Sequence, residues 1–316
     1  MGTQEIKLQK NYLTAPIETI YFGGGTPSLL KKAELEMIIE ALTTNFNLAT
    51  HFEFTIEANP DDINPVIAAD WLALGVNRLS IGIQSFQAGS LAWMNRAHTV
   101  EQSHEAIKIV QAAGFKDIST DLIYGSPHLS DEDLMADIAT LIQYKVNHIS
   151  CYALTVEEKT ALFSMIAKKQ IEDIDTTKQA RQFEIMVDAL TAAGFEHYEI
   201  SNFAMPNGRS KHNSNYWNQV PYLGLGPAAH SFNGDQRQWN IANNSLYFQS
   251  IKNSLVPFEL ENLSLTQKFN EYMMISLRKS EGFSTHYIKT HFGEKYEAYI
   301  MSTTPKYIAL GQLEPT

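Results

Sequence analysis

The chain has 316 residues, 44% of them hydrophobic and 19% charged, with a formal net charge of −11. That length accommodates one large α/β domain or two domains, and the acidic balance excludes broad electrostatic adhesion to nucleic acid or anionic lipid. The single cysteine, Cys151, excludes an internal disulfide and any site that needs several thiolates from this chain.

Residues 1–16 are polar and predict a helix ahead of Pro16. They hold no signal-peptide core, no apolar run approaches membrane-spanning length, and a lone cysteine fits a reducing compartment. The expected location is the cytoplasm. Next, an apolar run, Thr19-Ile20-Tyr21-Phe22, stops at Gly23, Gly24 and Gly25, with Thr26 and Pro27 behind them. This is the pattern of a buried strand opening into a loop stripped of side chains, where backbone N–H groups come close to a ligand. A tight turn accounts for the glycines equally well. Leu35, Ile38, Ile39, Leu42 and Phe46 then recur at helical spacing. Phe52–Ile56 reads as a strand ending at Glu57-Ala58-Asn59-Pro60, a helix follows Pro65, and Leu79–Ile83 is a strand ending at Gln84. Helical patterning covers 100–113, and the strand Ile118–Ile123 contains Asp121. A helix through Leu134, Ile138, Leu141 and Ile142 leads to a strand His148–Ala153, and a further helix runs through Phe183, Val187 and Leu190.

One phrase recurs. LALGVNRLS (72–80), QAAGFKDIS (111–119) and TAAGFEHYEIS (191–201) each end a helix on glycine and enter a strand. Gly75, Gly114 and Gly194 suit the left-handed residue that closes a helix. The rhythm is that of βα units in a barrel or a doubly wound sheet. A barrel is preferred, because polar residues gather at the strands' C-terminal ends, where such barrels place their sites.

The rhythm breaks after about residue 200. Residues 202–245 are rich in Asn, Gly, Pro and aromatics and read as one long irregular stretch. Helical patterning resumes from about Ser264, and the chain stops at GQLEPT without an obvious terminating element. The expected organisation is a barrel core over 1–200, an extension packed on it over 201–260, and a helical or winged C-terminal domain over 261–316.

In a barrel, the Gly24-Gly25-Thr26 loop, Glu57, Gln84 and Asp121 meet at one mouth, with Arg96 in reach. Arg96 suits bidentate pairing with a ligand carboxylate, while Glu57, Gln84 and Asp121 suit an amino group or ribose hydroxyls. Taken singly, each more often serves structure; their shared placement points to a zwitterionic, hydroxyl-rich ligand.

GGGTP at 23–27, TIEANP at 55–60, RLSIGIQSF at 78–86, MNRAH at 94–98, DLIYGSP at 121–127 and ISCYALT at 149–155 resemble the radical SAM family, and more narrowly its oxygen-independent coproporphyrinogen oxidase-like branch. Within that branch KHNSNYW (211–217) and YLGLGPAAHSF (222–232) resemble heme chaperones of the HemW type, not the oxidase. The resemblance covers nearly the whole chain. It implies a partial (β/α)6 barrel with its first strand missing and a small, mainly helical C-terminal domain. It also implies S-adenosylmethionine held by Gly24, Gly25, Thr26, Glu57, Gln84, Arg96, Asp121 and Ala153. His212 in the HNxxYW phrase is the heme-linked residue it implies, with Tyr216 and Trp217 covering a porphyrin face and His230 a weaker candidate. A backbone-bonded loop histidine explains His212 equally well.

The family's CxxxCxxC, whose thiolates hold a [4Fe–4S] cluster, has no counterpart here. The chain is therefore expected to be truncated, to leave the edge of its Thr19–Phe22 strand open, and not to perform radical chemistry. The leading reading is a heme chaperone that binds heme and S-adenosylmethionine and passes heme to acceptor proteins, among them membrane-associated respiratory enzymes. No nucleic acid is expected as a partner, and a homodimer is left open. The alternative is oxygen-independent coproporphyrinogen III oxidase of porphyrin biosynthesis, and a third reading is an unrelated barrel enzyme with no affinity for S-adenosylmethionine.

Overall fold

The computed structural model describes residues 2–315. Seven strands form its main sheet: β1 (Ile17–Phe22), β2 (Leu48–Ala58), β3 (Arg78–Gln84), β4 (Asp117–Tyr124), β5 (His148–Ala153), β6 (Glu196–Glu199) and β7 (Asn202–Ala204). Their order is β1-β2-β3-β4-β5-β7-β6. The first five run parallel, in register such as Ile56↔Leu79 and Thr120↔Ile149, joined by the helices Lys32–Asn45, Pro65–Ala73, Val100–Ala113 and Asp131–Tyr144. Capping boxes start two of these helices, Thr99 with Gln102 and Ser130 with Asp133. Gly75, Gly114 and Gly194, at φ 89°, 112° and 93°, close the helices before β3, β4 and β6.

Alternation along the strands sorts the side chains. Ile56, Leu79, Ile81, Leu122 and Ile149 are buried in one apolar core with Leu35, Ile107, Leu134, Leu141 and Leu190 of the covering helices. The opposite face carries Thr55 and Glu57, Arg78 and Ser80, Ser119 and Asp121, then Ser150 and Tyr152, and these line one cavity together with Tyr21 of β1. Strands lie about 4.8 Å apart, so β1 and β5 of a flat sheet would stand about 19 Å from each other. Their contact with a single small cavity shows that the sheet is curled, with a polar concave face and an apolar convex one. This is the expected partial barrel. It departs from uniform βα repetition at its far end, where β7 runs antiparallel to β5, and β6 antiparallel to β7. β1 pairs with β2 alone and is a sheet edge.

The expectation of one irregular stretch over 202–245 is corrected. β7 belongs to the main sheet, a helix spans Lys211–Trp217, and β8 (His230–Phe232) and β9 (Gln236–Asn240) join β10 (Phe258–Asn262) in a second, antiparallel sheet. Three-residue strands are too short to show alternation. The turn signal is there, since Asn233 Oδ1 accepts from the backbone N–H groups of Asp235 and Gln236 beside Gly234 at φ 98°. The carboxylate of Glu5, on the helix Gly2–Leu8, ties this sheet down: it accepts from Gly226 N at 2.8 Å, Asn240 Nδ2 at 2.6 Å and the Tyr247 hydroxyl. Helices Leu265–Ser276, Thr285–Phe292 and Glu294–Ala309 close on Phe269, Ile288 and Ile300, and no strand occurs among the described residues after Asn262. No helix is long and apolar enough to cross a membrane among the described residues.

Candidate functional site

The concave face ends in a cavity of about 80 Å³. Glu57, at the end of β2, stands on its rim. It accepts a hydrogen bond from the Tyr21 hydroxyl at 2.7 Å and another from Gly24 N at 3.1 Å. A carboxylate has about four acceptor positions, so two remain for a ligand. Burial, and then the Glu57 charge, push the Tyr21 hydroxyl well above its ordinary pKa. The three glycines have distinct causes. A Cβ on Gly23 would lie 2.5 Å from the Tyr21 ring and 2.9 Å from Glu57 Oε1, whereas Gly24 and Gly25 adopt φ 74° and 65° with open space where a side chain would project. Thr26 follows and begins a short 3-10 turn, Pro27–Leu29.

A second group gathers at the end of β3. The β3–β4 register breaks between Ile81 and Gln84, and Gln84 takes φ 65°, a left-handed conformation unusual for a residue with a side chain. Arg96 Nη2 donates to Asn59 Oδ1 at 2.9 Å and to Gly82 O at 3.4 Å, while its buried Nε has no partner. A Cβ on Gly82 would stand 3.0 Å from Gln84 Nε2 and 3.5 Å from Arg96 Nη2, so this glycine makes room for both side chains. Asn59, two residues beyond Glu57, orients Arg96 and was missed in the sequence; its place in the strand-end phrase TIEANP is the signal that marked it.

Asp121 lies deeper, lining the cavity from β4. Burial lifts its carboxyl to about 7, hydrogen bonds from Ser150 and Ser80 pull the other way, and the neighbouring Glu57 charge adds to the rise. Arg78, also missed in the sequence, is only 2% exposed; it pairs with Asp117 and has Nη2 buried without a partner. Ala153 is the last residue of β5, opposite Tyr124.

The HNxxYW segment meets the concave face from the β1 side. Glu53 of β2 accepts from the backbone N–H groups of Lys211 at 2.8 Å and His212 at 2.9 Å, anchoring the first turn of the helix Lys211–Trp217. His212 Nδ1 is hydrogen-bonded to Thr19 Oγ1 at 3.0 Å, and the imidazole stacks on the Tyr21 ring, centroids 4.4 Å apart and planes 14° apart. Burial lowers the His212 pKa to about 4. Tyr216 meets the imidazole edge-on at 4.9 Å, its hydroxyl raised to about 12 by burial. Trp217 instead faces Arg278, whose guanidinium lies 5.3 Å from the indole, and His230 sits against Trp239 at 6.2 Å on the small sheet. The structure thus brings His212 and Tyr216 together, with Trp217 and His230 engaged elsewhere.

S-adenosylmethionine and a [4Fe–4S] cluster, which radical SAM proteins carry, fare differently here. Bare loop backbone, the spare acceptors of Glu57, the Gln84 amide and the orphaned Arg96 Nε suit the hydroxyls, amine and carboxylate of the former. The cluster has no fitting donors. Cys151, the chain's sole cysteine, is buried within the apolar core with its thiol pKa pushed upward, and no group of three metal-binding side chains occurs among the described residues.

Residues 3–141 match the Radical SAM superfamily. The chain is 34% identical to the heme chaperone HemW of Mycobacterium tuberculosis over 298 residues, 94% of this chain and 76% of that protein. It is 32% identical to the heme chaperone HemW of Bacillus subtilis over 282 residues, 89% of this chain and 73% of that protein. Among solved structures, coproporphyrinogen III oxidase (HemN) from Escherichia coli, a radical SAM enzyme, superposes with a TM-score of 0.81 at 20% identity, over 98% of this chain and 75% of that one. That last likeness establishes the shared fold.

Proposed function

The chain belongs to the HemW family of the radical SAM superfamily, and from that membership we propose that it binds heme and hands it to heme-accepting proteins, membrane-associated respiratory enzymes among them. The observation that carries this reading is the setting of His212. A clamped helix, a hydrogen bond at Nδ1 and a stacked ring hold one imidazole at the rim of the concave face, and the low His212 pKa keeps it neutral, as an iron ligand must be. Heme is the cargo here, and Tyr216 is the aromatic of the HNxxYW phrase that touches the ligand histidine.

S-adenosylmethionine is assigned to the neighbouring rim: Gly24, Gly25 and Thr26 offer backbone, Glu57 and Asp121 accept from its amine or ribose, Gln84 and Arg96 meet its polar groups, and Ala153 closes the side. Once bound, this sulfonium compound supplies an activated carbon–sulfur bond. The chain's own residues hold and orient it, and the absent cluster donors leave its cleavage outside what this chain provides. Coproporphyrinogen oxidation draws support from the shared fold alone and is not favoured by any side-chain arrangement.

Titrating hemin into the protein and following absorbance tests the reading. A shifted Soret band in the wild type, lost in His212→Ala, is the expected result; equal spectra and affinities in both proteins would remove His212 as the ligand.

A further inference from the structure

We propose that Thr19 is the positioning residue that presents His212 to the heme iron, holding the imidazole through Nδ1 so that Nε2 is the ligand atom. This rests on the heme reading of His212 and adds a residue from a distant part of the chain. A neutral imidazole has one N–H and one lone pair, so fixing the proton on Nδ1 assigns the lone pair to Nε2. Thr19 Oγ1 lies 3.0 Å from Nδ1, and no described residue bonds Nε2. The other freedoms of the ring are removed by the same two strands. Tyr21, two residues along β1, stacks at 4.4 Å and sets the ring plane, while Glu53 fixes the helix start at His212 N, 2.9 Å away. β1 and β2 therefore set position, plane and in-plane rotation of a histidine that follows Thr19 by 193 residues and Glu53 by 159.

The chemistry balances without a redox step. The Nε2 lone pair forms the bond to iron, the proton stays on Nδ1, and Nδ1–H donates to the threonine oxygen. A hydrogen bond of that kind fixes ring orientation and strengthens the imidazole as a donor, and losing such an outer partner typically lowers affinity about 10- to 100-fold.

Two measurements test this. Nitrogen-15 NMR of the ligand-free protein reports the His212 tautomer directly: Nδ1–H is expected in the wild type, and Nε2–H would overturn the proposal with no heme present. Hemin titration of Thr19→Val, which keeps the shape and removes the acceptor, is expected to show about 10-fold weaker binding, a displaced Soret maximum and a raised heme reduction potential. Thr19→Ser restores all three. Should the valine variant fail to fold, the NMR measurement and the serine variant still decide. If His212→Ala loses heme while a folded Thr19→Val matches the wild type in affinity, spectrum and potential, Thr19 is refuted and the heme reading survives. If His212→Ala binds heme as the wild type does, both fall.

Discussion

In the half-barrel, a residue such as Leu79 is fully buried between a strand ladder and covering helices, and its neighbour Ser80 faces the opposite, polar side. In the helices of 265–309, apolar side chains reach comparable burial only at Phe269, Ile288 and Ile300, while Met274, Tyr299 and Met301 stay 59%, 59% and 58% exposed. The two regions differ in how many independent elements fix a side chain. Strand, helix and cavity all constrain the barrel residues, which is what a site needs if polar groups are to be held where they are costly to leave unpaired. The C-terminal helices have an apolar core of only three buried residues, and their order depends on few contacts.

The largest effect is expected at the joint between the barrel and the small sheet. Glu5→Ala leaves Gly226 N–H, the Asn240 amide and the Tyr247 hydroxyl without their shared acceptor, at about 5 kcal/mol if the three remain buried. Hydrogen exchange should rise across 226–247 while β2–β5 stay protected. Uniform loss of protection would instead make the small sheet part of the barrel's cooperative unit.

Asp121 comes next. Its folded-state pKa of about 7 stands above the ordinary value of 3.8. The folded protein therefore binds the proton more tightly, and stability falls as pH rises from about 4 to about 7, then levels. Three pH units correspond to at most about 4 kcal/mol. Asp121→Asn should flatten this part of the pH–stability curve in urea titrations; an unchanged slope would mean that Asp121 is solvated.

Core truncation tests the contrast itself. Leu79→Ala is expected to cost about 3 kcal/mol in global unfolding, since a rigid ladder cannot close the cavity it leaves. Ile288→Ala is expected to cost about 2 kcal/mol and to raise exchange only within 265–309. Equal, global effects would dissolve the distinction between the regions.

The same contrast explains what the sequence disclosed. The five parallel strands were legible because each has enough residues for alternation or an apolar run, and those at β2, β4 and β5 follow helices of clear period. Asp121, read with Glu57 and Gln84, lies inside β4, three residues short of its end, whereas those two were legible as polar residues at strand ends. That Glu57 is already engaged by Tyr21 and Gly24 was not, because the contact depends on the loop's positive-φ glycines folding back. Arg78 lies just before the strand read as Leu79–Ile83 and Asn59 inside the phrase that ends the strand Phe52–Ile56, and neither position marks a site residue by itself. The link from Thr19 to His212 spans the chain and leaves no local pattern at all. β7 and β8, three residues each, fall below the length at which periodicity can be read.

The smallest effect sets two carboxylates that meet the same helix, Glu18 of β1 and Glu53 of β2, against each other. Lys211 Nζ pairs with Glu18 at 3.0 Å, with side chains 42% and 53% exposed, so Lys211→Ala should change stability by less than about 0.5 kcal/mol and leave hemin binding intact. Glu53, half-buried and accepting from two backbone N–H groups at the helix start, should cost about 1–2 kcal/mol as Glu53→Ala and weaken hemin binding with it. Both carboxylates touch the first turn of the helix, and only one satisfies donors that have no intrahelical partner. If removing Glu18 or Lys211 proved as damaging as removing Glu53, net charge near the helix start would be what holds His212 in place. A clear gap between them would assign that task to hydrogen bonds made on the concave face.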